Sequence, residues 1–144
     1  MAVASPIAFE ALNGADLLTT SIQSATEFAT KSGLQASVSV AVKKDFLAKV
    51  AAQFSGEIIE CDPTKPTEFA TALFNSTDFD LVAIHDAQRP LTNVAQFQRV
   101  ISALAGNYDA ARPATTFTET LKVVNTSSEL TQTIDRTKIG RAHV

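Results

Sequence analysis

The stretch Phe79-Asp80-Leu81-Val82-Ala83-Ile84-His85-Asp86-Ala87-Gln88-Arg89-Pro90 decides how the rest of the chain is read. Its first half is a largely apolar run of strand length, and its second half is charged and turn-forming. Such a run predicts a strand over residues 79–84 that is buried on both faces, as strands of parallel sheets are. At its end His85-Asp86 and Arg89 set a carboxylate and a guanidinium where a buried strand reaches solvent. In open α/β sheets, ligands bind outside the carboxyl ends of the strands.

Working outward, residues 16–31 carry Leu18, Ile22, Ala25, Phe28 and Ala29 at helical spacing, with Gly33 placed to end a helix. Val38, Val40 and Val42 alternate with smaller residues and predict a strand. Residues 45–54 return to helical spacing through Phe46, Leu47 and Val50, and Ile58-Ile59 forms a second short strand. Pro66 suits the first turn of a helix whose apolar stripe is Phe69, Leu73 and Phe74. After Pro90, Thr92 or Asn93 can cap a helix with Val94, Phe97, Val100, Ile101 and Leu104 inward, closed by Gly106. Helices and strands thus alternate, which implies parallel pairing with right-handed crossovers and a layered α/β sheet. Beyond Gly106 the pattern changes to strands over residues 114–117, 120–124 and 130–134, the last two around a turn of Asn125-Thr126-Ser127-Ser128.

The whole chain of 144 residues fits one domain, residues 1–144, large enough to bury a core without disulfides. With 45% apolar residues, 19% charged residues and a net charge of −3, it reads as an ordinary globular protein. That mild acidity offers no long-range attraction to nucleic acid or to an anionic membrane, so neither is expected as a partner. The single Cys61 has no partner at metal-ligand spacing and is expected to be a buried thiol in a reducing, cytoplasmic setting. The first residues lack the basic start and long apolar core of a signal peptide, and no apolar run approaches the ~20 residues of a membrane span.

Asp86 can hold a divalent cation through oxygen, and Arg89 can grip phosphate oxygens in a bidentate fork. Equally, Asp86 can cap a turn while Arg89 forms a surface ion pair worth under ~1 kcal/mol. Lys43-Lys44 reads as a solvated turn. Arg136, Lys138 and Arg141 can meet an anion or form a solvated basic tail. The glycine-rich dinucleotide, P-loop, nucleophile-elbow and zinc-protease signatures are all missing from the sequence.

His85-Asp86-Ala87-Gln88-Arg89-Pro90 resembles the H-D-A-A-R-P motif of the 2-C-methyl-D-erythritol 4-phosphate cytidylyltransferases, enzymes of the non-mevalonate isoprenoid route. Glu119-Thr120-Leu121-Lys122 is similar to that family's D-T-[IVM]-K segment, and Thr133-Ile134-Asp135-Arg136 to its T-x-D-R. The resemblance implies a Rossmann-like, mostly parallel layered sheet with a projecting β-hairpin arm over about residues 118–136. It implies a nucleotidyltransferase that joins CTP and a polyol phosphate, releases pyrophosphate and depends on Mg²⁺. By the same resemblance Asp86 holds the metal, and Asp86 and Arg89 are the catalytic pair. Ala87, Thr120 and Arg136 bind substrate, with Arg136 reaching it from the partner subunit of a homodimer, and Lys65 stands at the nucleotide.

Several positions depart from that pattern. The family opens with a strand and a glycine-rich, basic loop ending in P-K-x-[FY], whereas Pro6-Ile7-Ala8-Phe9 carries Ile7 in place of the lysine. The cytosine-side motif G-G-x-x-R-x-x-S aligns with residues 61–68, where Lys65 replaces the arginine and Glu68 the serine. The sequence ends before the family's T-P-Q segment, and residues 139–144 resemble a translated sequencing adapter. Two further expectations therefore stand beside the enzyme: a catalytically degenerate homologue that binds or regulates, and transfer to another alcohol phosphate such as ribitol phosphate.

Overall fold

The first strand of the sheet is made by Ala2 and Val3, which no periodicity in the sequence marks. In the computed structural model, which describes residues 1–76, 79–106, 108–115, 120–135 and 142–143, the chain forms two compact units, Met1–Ile101 and Ser102–Val144. The first unit runs β1 (Ala2–Val3), a 3-10 turn (Pro6–Phe9), β2 (Ala11–Leu12), β3 (Ala15–Asp16), α1 (Leu17–Lys31) and β4 (Ser39–Val42). It continues through a second 3-10 turn (Lys44–Phe46), α2 (Leu47–Ala51), β5 (Glu57–Glu60), α3 (Pro66–Ser76) and most of α4 (Val94–Leu104). The second unit holds β6 (Ala114–Thr115), β7 (Lys122–Val124), β8 (Leu130–Thr133) and β9 (Ala142–His143).

Local chemistry explains most of these boundaries. Asp16 caps α1 by accepting the Thr19 N–H at 2.7 Å, and Gly33 follows the helix with φ +71°, the left-handed conformation that suits glycine. Asn93 Oδ1 accepts the Gln96 N–H at 2.9 Å and starts α4. β2 and β3 form a hairpin around Asn13 and Gly14, both at positive φ (52° and 91°). That is the two-residue turn an Asn-Gly pair favours, and the pair is the signal by which the hairpin is legible. The helix expected over residues 45–54 is shorter: its start is a 3-10 turn and α2 stops at Ala51, after which Gln53 and Phe54 both donate to the Val50 carbonyl.

β1, β4 and β5 make a parallel sheet in the order β1-β4-β5, with Val3 opposite Val42 and Val40 opposite Ile58. On its free side β1 meets residues 85–87. The Ala2 N–H donates to the His85 carbonyl at 2.8 Å, the Ala87 N–H donates to the Ala2 carbonyl at 3.0 Å, and Ala2 lies opposite Asp86 in parallel. The spatial order is therefore third, second, first, fourth in chain order, the arrangement of a Rossmann-like sheet with its topological switch beside β1.

The strand expected over residues 79–84 does not form. Because Ala2 is in register with Asp86, no β1 residue stands opposite positions 79–84. Phe79, Leu81, Val82 and Ile84 stay between 40% and 63% exposed, and only His85 and Ala87 are buried. The apolar run was a sound sign of a sheet segment; what it lacks here is a neighbour to pair with.

Alternation along β4 sorts the core into two faces. Val40 and Val42 join Val3, Ala8, Leu18, Val50 and Ala87 against α1 and α2, while Ala41 joins Cys61 and Phe69 against α3. Fully burying each of the larger side chains contributes roughly 1.5–3 kcal/mol. In the second unit, β7 and β8 pair antiparallel with a register shift at Val123/Val124. Their turn is built by Asn125 Oδ1, which accepts the Ser127 and Glu129 N–H groups. β6 pairs antiparallel with β9; the rest of residues 136–144 lies outside the described residues.

Two measurements check this core. Leu18, with no exposed surface, reaches from α1 into the sheet, so Leu18→Ala is expected to lower stability by about 2–5 kcal/mol in urea denaturation. The Met1 ammonium donates to the Ser39 carbonyl at 2.6 Å, and burial pushes its pKa down from 8.0 to about 6. The unfolded chain therefore binds more protons between those values, and stability of the 144-residue chain rises with pH from 6 to 8. The contribution is on the order of 3 kcal/mol, and acetylating the amine is expected to flatten the urea midpoint against pH.

Candidate active site

All the parallel strands end on one edge, so that edge collects Ala4-Ser5 after β1, Lys43 after β4, Cys61-Asp62 after β5 and Asp86 to Arg89 beside β1. In an open α/β sheet the ligand crevice is expected at the switch point, here beside β1 and the Asp86 turn.

That turn is tight and fixed from beneath. Asp86 Oδ1 accepts the Gln88 N–H at 2.9 Å, and the Asp86 carbonyl accepts the Arg89 N–H at 3.0 Å. One carboxylate oxygen thus caps the turn, and the other has no hydrogen-bond partner among the described residues. Asp86 and Arg89 are both exposed, and neither forms an ion pair among the described residues. The surface ion pair that the sequence allowed for Arg89 is absent there.

Ala87, expected at the substrate, is instead the anchor. Its side chain is wholly buried beside Val3 and Leu18. Its N–H is bound to the Ala2 carbonyl, and its carbonyl accepts the Ser21 hydroxyl at 3.1 Å. Both backbone groups make hydrogen bonds inside the fold. Ser21 is the positioning residue that sequence reading missed, although a hydroxyl on the apolar face of α1, between Leu18 and Ala25, is a visible signal. His85 is buried with its ring edge on Phe97 at 5.2 Å. Burial first, then the nearby N-terminal amine and Arg89, hold its pKa below 6.5 against the opposing charge of Asp86. Its Nε2 has no hydrogen-bond partner among the described residues.

On the other side of the crevice a second network closes the turn between β5 and α3. Asp62 Oδ1 accepts from the Thr64 N–H at 3.0 Å and the Thr64 hydroxyl at 2.6 Å, and pairs with Lys43 Nζ at 3.3 Å. Glu68 Oε1 accepts the Asp62 N–H at 2.9 Å, and Glu68 Oε2 pairs with Lys65 at 3.2 Å. The Thr64 bonds chiefly hold the Asp62 carboxyl below its ordinary pKa, and the Asp62 N–H does the same for Glu68. Lys65 is exposed and tied to Glu68. Cys61 is buried, and burial, then Glu68 and Asp62, push its thiol up, which makes it a poor nucleophile.

Of the other expected site residues, Thr120 is exposed in the second unit, and Arg136 lies outside the described residues. Between β1 and the first 3-10 turn the chain spends only Ala4 and Ser5, and Ser5 Oγ caps that turn by accepting the Ile7 N–H. Ile7 is 46% exposed. Among the described residues no three His, Cys, Asp or Glu side chains gather to hold a metal. The donor set at Asp86 fits a cation held by one carboxylate and completed by water and substrate phosphates, as Mg²⁺ is.

The family profile of IspD, 2-C-methyl-D-erythritol 4-phosphate cytidylyltransferase, matches residues 1–144. The chain belongs to this family. Among curated relatives, the bifunctional enzyme IspD/IspF of Bradyrhizobium sp. (strain BTAi1 / ATCC BAA-1182) is 42% identical over 60 residues, which are 42% of this chain and 15% of that protein. Among solved structures, the crystal structure of 4-diphosphocytidyl-2C-methyl-D-erythritol synthase from Anaerococcus prevotii DSM 20548 superposes with a TM-score of 0.65 at 17% identity. The match covers 96% of this chain and 64% of that one. At that identity the superposition speaks for the mixed α/β fold with its parallel sheet. The chain spans less than two thirds of the length of either relative.

In this cytidylyltransferase-family chain the Asp86 turn depends on one side-chain hydroxyl from α1. Ser21→Ala leaves the buried Ala87 carbonyl without its partner and is expected to cost about 1–3 kcal/mol. Thermal unfolding reads the loss, and faster amide exchange at Ala87 and Arg89 shows that the turn itself has loosened.

Proposed function

We propose that the protein transfers CMP from CTP to 2-C-methyl-D-erythritol 4-phosphate. An acceptor phosphate oxygen attacks the α-phosphorus of CTP, the bond from that phosphorus to the bridging oxygen breaks, and pyrophosphate leaves. The observation that carries the reading is the pair Asp86 and Arg89, both exposed and without an ion pair among the described residues, at the switch point of a parallel sheet.

The step brings several negative charges together, so catalysis is mostly positioning and electrostatic relief. Mg²⁺, when bound, supplies neutralising charge on the phosphate oxygens, and Asp86 would hold it. Arg89 offers a planar fork that fits two phosphate oxygens at once. Because Ala87 and Ser21 fix the turn from within the core, neither group must reorganise as charge develops. In this reading Thr120 and Arg136 on the hairpin arm add to binding of the polyol phosphate, Arg136 from the neighbouring subunit of a homodimer.

A second reading, a homologue that binds without turning over, is favoured by the two-residue link Ala4-Ser5 and by Ile7 where the family resemblance puts a lysine. Purified protein supplied with CTP, Mg²⁺ and the methylerythritol phosphate separates them. Pyrophosphate release that falls by about a hundredfold or more in Asp86→Ala is the expected result. Silence from a chain that still unfolds cooperatively establishes the binding homologue instead. Release only with ribitol phosphate moves the acceptor.

A further inference from the structure

The carboxyl edge holds a cavity that Asp86 and Arg89 do not line. It has a volume of about 800 Å³ and sits where β5 runs into α3, between Cys61 and the first turns of the helix. That size is ordinary for a small-molecule site. Another cavity, of about 510 Å³, is lined by Ala36 and Val38, which lead into β4, and by Ser55 and Gly56, which lead into β5. It therefore lies toward the opposite, amino edge of the sheet. Across the strand ends, β5 stands three strand steps from the Asp86 segment, roughly 14 Å by ordinary strand spacing. A nucleoside triphosphate laid along that edge spans the distance, its phosphates at Asp86 and Arg89 and its base at the larger cavity.

Most polar side chains around this cavity are already engaged with one another. Lys65 is tied to Glu68 at 3.2 Å, and the other Glu68 oxygen accepts the Asp62 N–H at 2.9 Å. Thr64 gives both its N–H and its hydroxyl to Asp62. Glu60 lies opposite Val42, whose side chain packs on the α1 and α2 face, so the Glu60 carboxylate projects away from α3. Two lining hydroxyls remain, those of Thr67 and Thr71, and neither makes a hydrogen bond among the described residues. They stand one turn apart on the same face of α3 and are both exposed. Cys61, Pro66 and Ala72 supply apolar surface beside them.

A hydroxyl both donates and accepts, and it rotates to suit its partner. It can accept from the exocyclic amine of cytosine or donate to the carbonyl that uracil carries in its place. Sharp rejection of a wrong base needs a buried polar group that the wrong base leaves unpaired. Thr67 and Thr71 are open to water, and water replaces whatever bond a base fails to make.

We propose that this cavity receives the base of the nucleotide without discriminating cytosine from uracil, so that the chain accepts CTP and UTP alike. The inference rests on the nucleotidyltransferase reading of the same edge and widens its nucleotide substrate to the pyrimidine triphosphates.

Calorimetric titration of the purified chain with CTP, UTP and inorganic pyrophosphate, each with Mg²⁺, tests it. The two nucleotides are expected to bind within about fivefold of each other, and both more tightly than pyrophosphate. Thr71→Trp fills the cavity from an exposed helix position. It is expected to weaken CTP and UTP together by about tenfold and to leave pyrophosphate binding unchanged. Replacing Thr67 and Thr71 together by Val is expected to weaken both nucleotides without changing their ratio. Thermal unfolding of each variant shows that it is folded. A larger preference for either nucleotide overturns the inference alone, as does a folded Thr71→Trp chain that binds both as the parent does. A parent that binds pyrophosphate but neither nucleotide more tightly overturns it as well. If the parent binds none of the three probes, the nucleotidyltransferase reading fails together with it.

Discussion

Everything at the carboxyl edge depends on the pairing of one two-residue strand with neighbours on both sides. Ala2 gives its N–H to His85 and its carbonyl to Ala87, while the Met1 carbonyl receives the Ala41 N–H. Through these bonds β4 and the Asp86 turn are set at fixed heights relative to each other, with β1 between them. The side chain of Val3, next along β1, then closes the core with Leu18, Val40 and Val42. Few contacts do this work, and their partners Ala41, His85 and Ala87 are buried, so water cannot replace them cheaply.

The edge built on that strand separates structural from reactive groups with some economy. The Ala87 carbonyl, which faces the core, is satisfied within the fold by Ser21. Groups that face the crevice, Asp86 and Arg89 among them, are left exposed. On the far side, Glu68 does not act as a loose carboxylate near a ligand. It holds the Asp62 N–H and Lys65, and so stiffens the turn from which Asp62 directs Lys43.

Much of this was legible beforehand because it rests on short-range chemistry. The stripe through Leu18 and Phe28, the alternation of Val40 and Val42, Pro66 at a helix start and the Asn-Thr-Ser-Ser turn after Val124 each determine local structure by themselves. The Asp86 corner was legible for a different reason: charge at the end of an apolar run is informative wherever sheets are parallel. What could not be read was pairing. Nothing in Ala2-Val3 announces a central strand, and the apolar run over residues 79–84 gives no hint that register leaves it without a neighbour. Likewise nothing near Ala87 in sequence shows that its backbone groups are engaged by Ala2 and Ser21. Partners distant in sequence decide such matters, and a local pattern does not contain them.

The bond from Ser21 to the Ala87 carbonyl joins residues 66 positions apart, and β1 must find residues still further along the chain. During synthesis β1 and α1 emerge before the Asp86 turn and wait for it. Until that turn leaves the ribosome the sheet has an unpaired inner edge, and the crevice has only one wall. Topology of this kind is slow to close, because loop entropy is spent before the distant contacts form. The Asp86 corner is therefore completed late, together with the last pairing of the sheet.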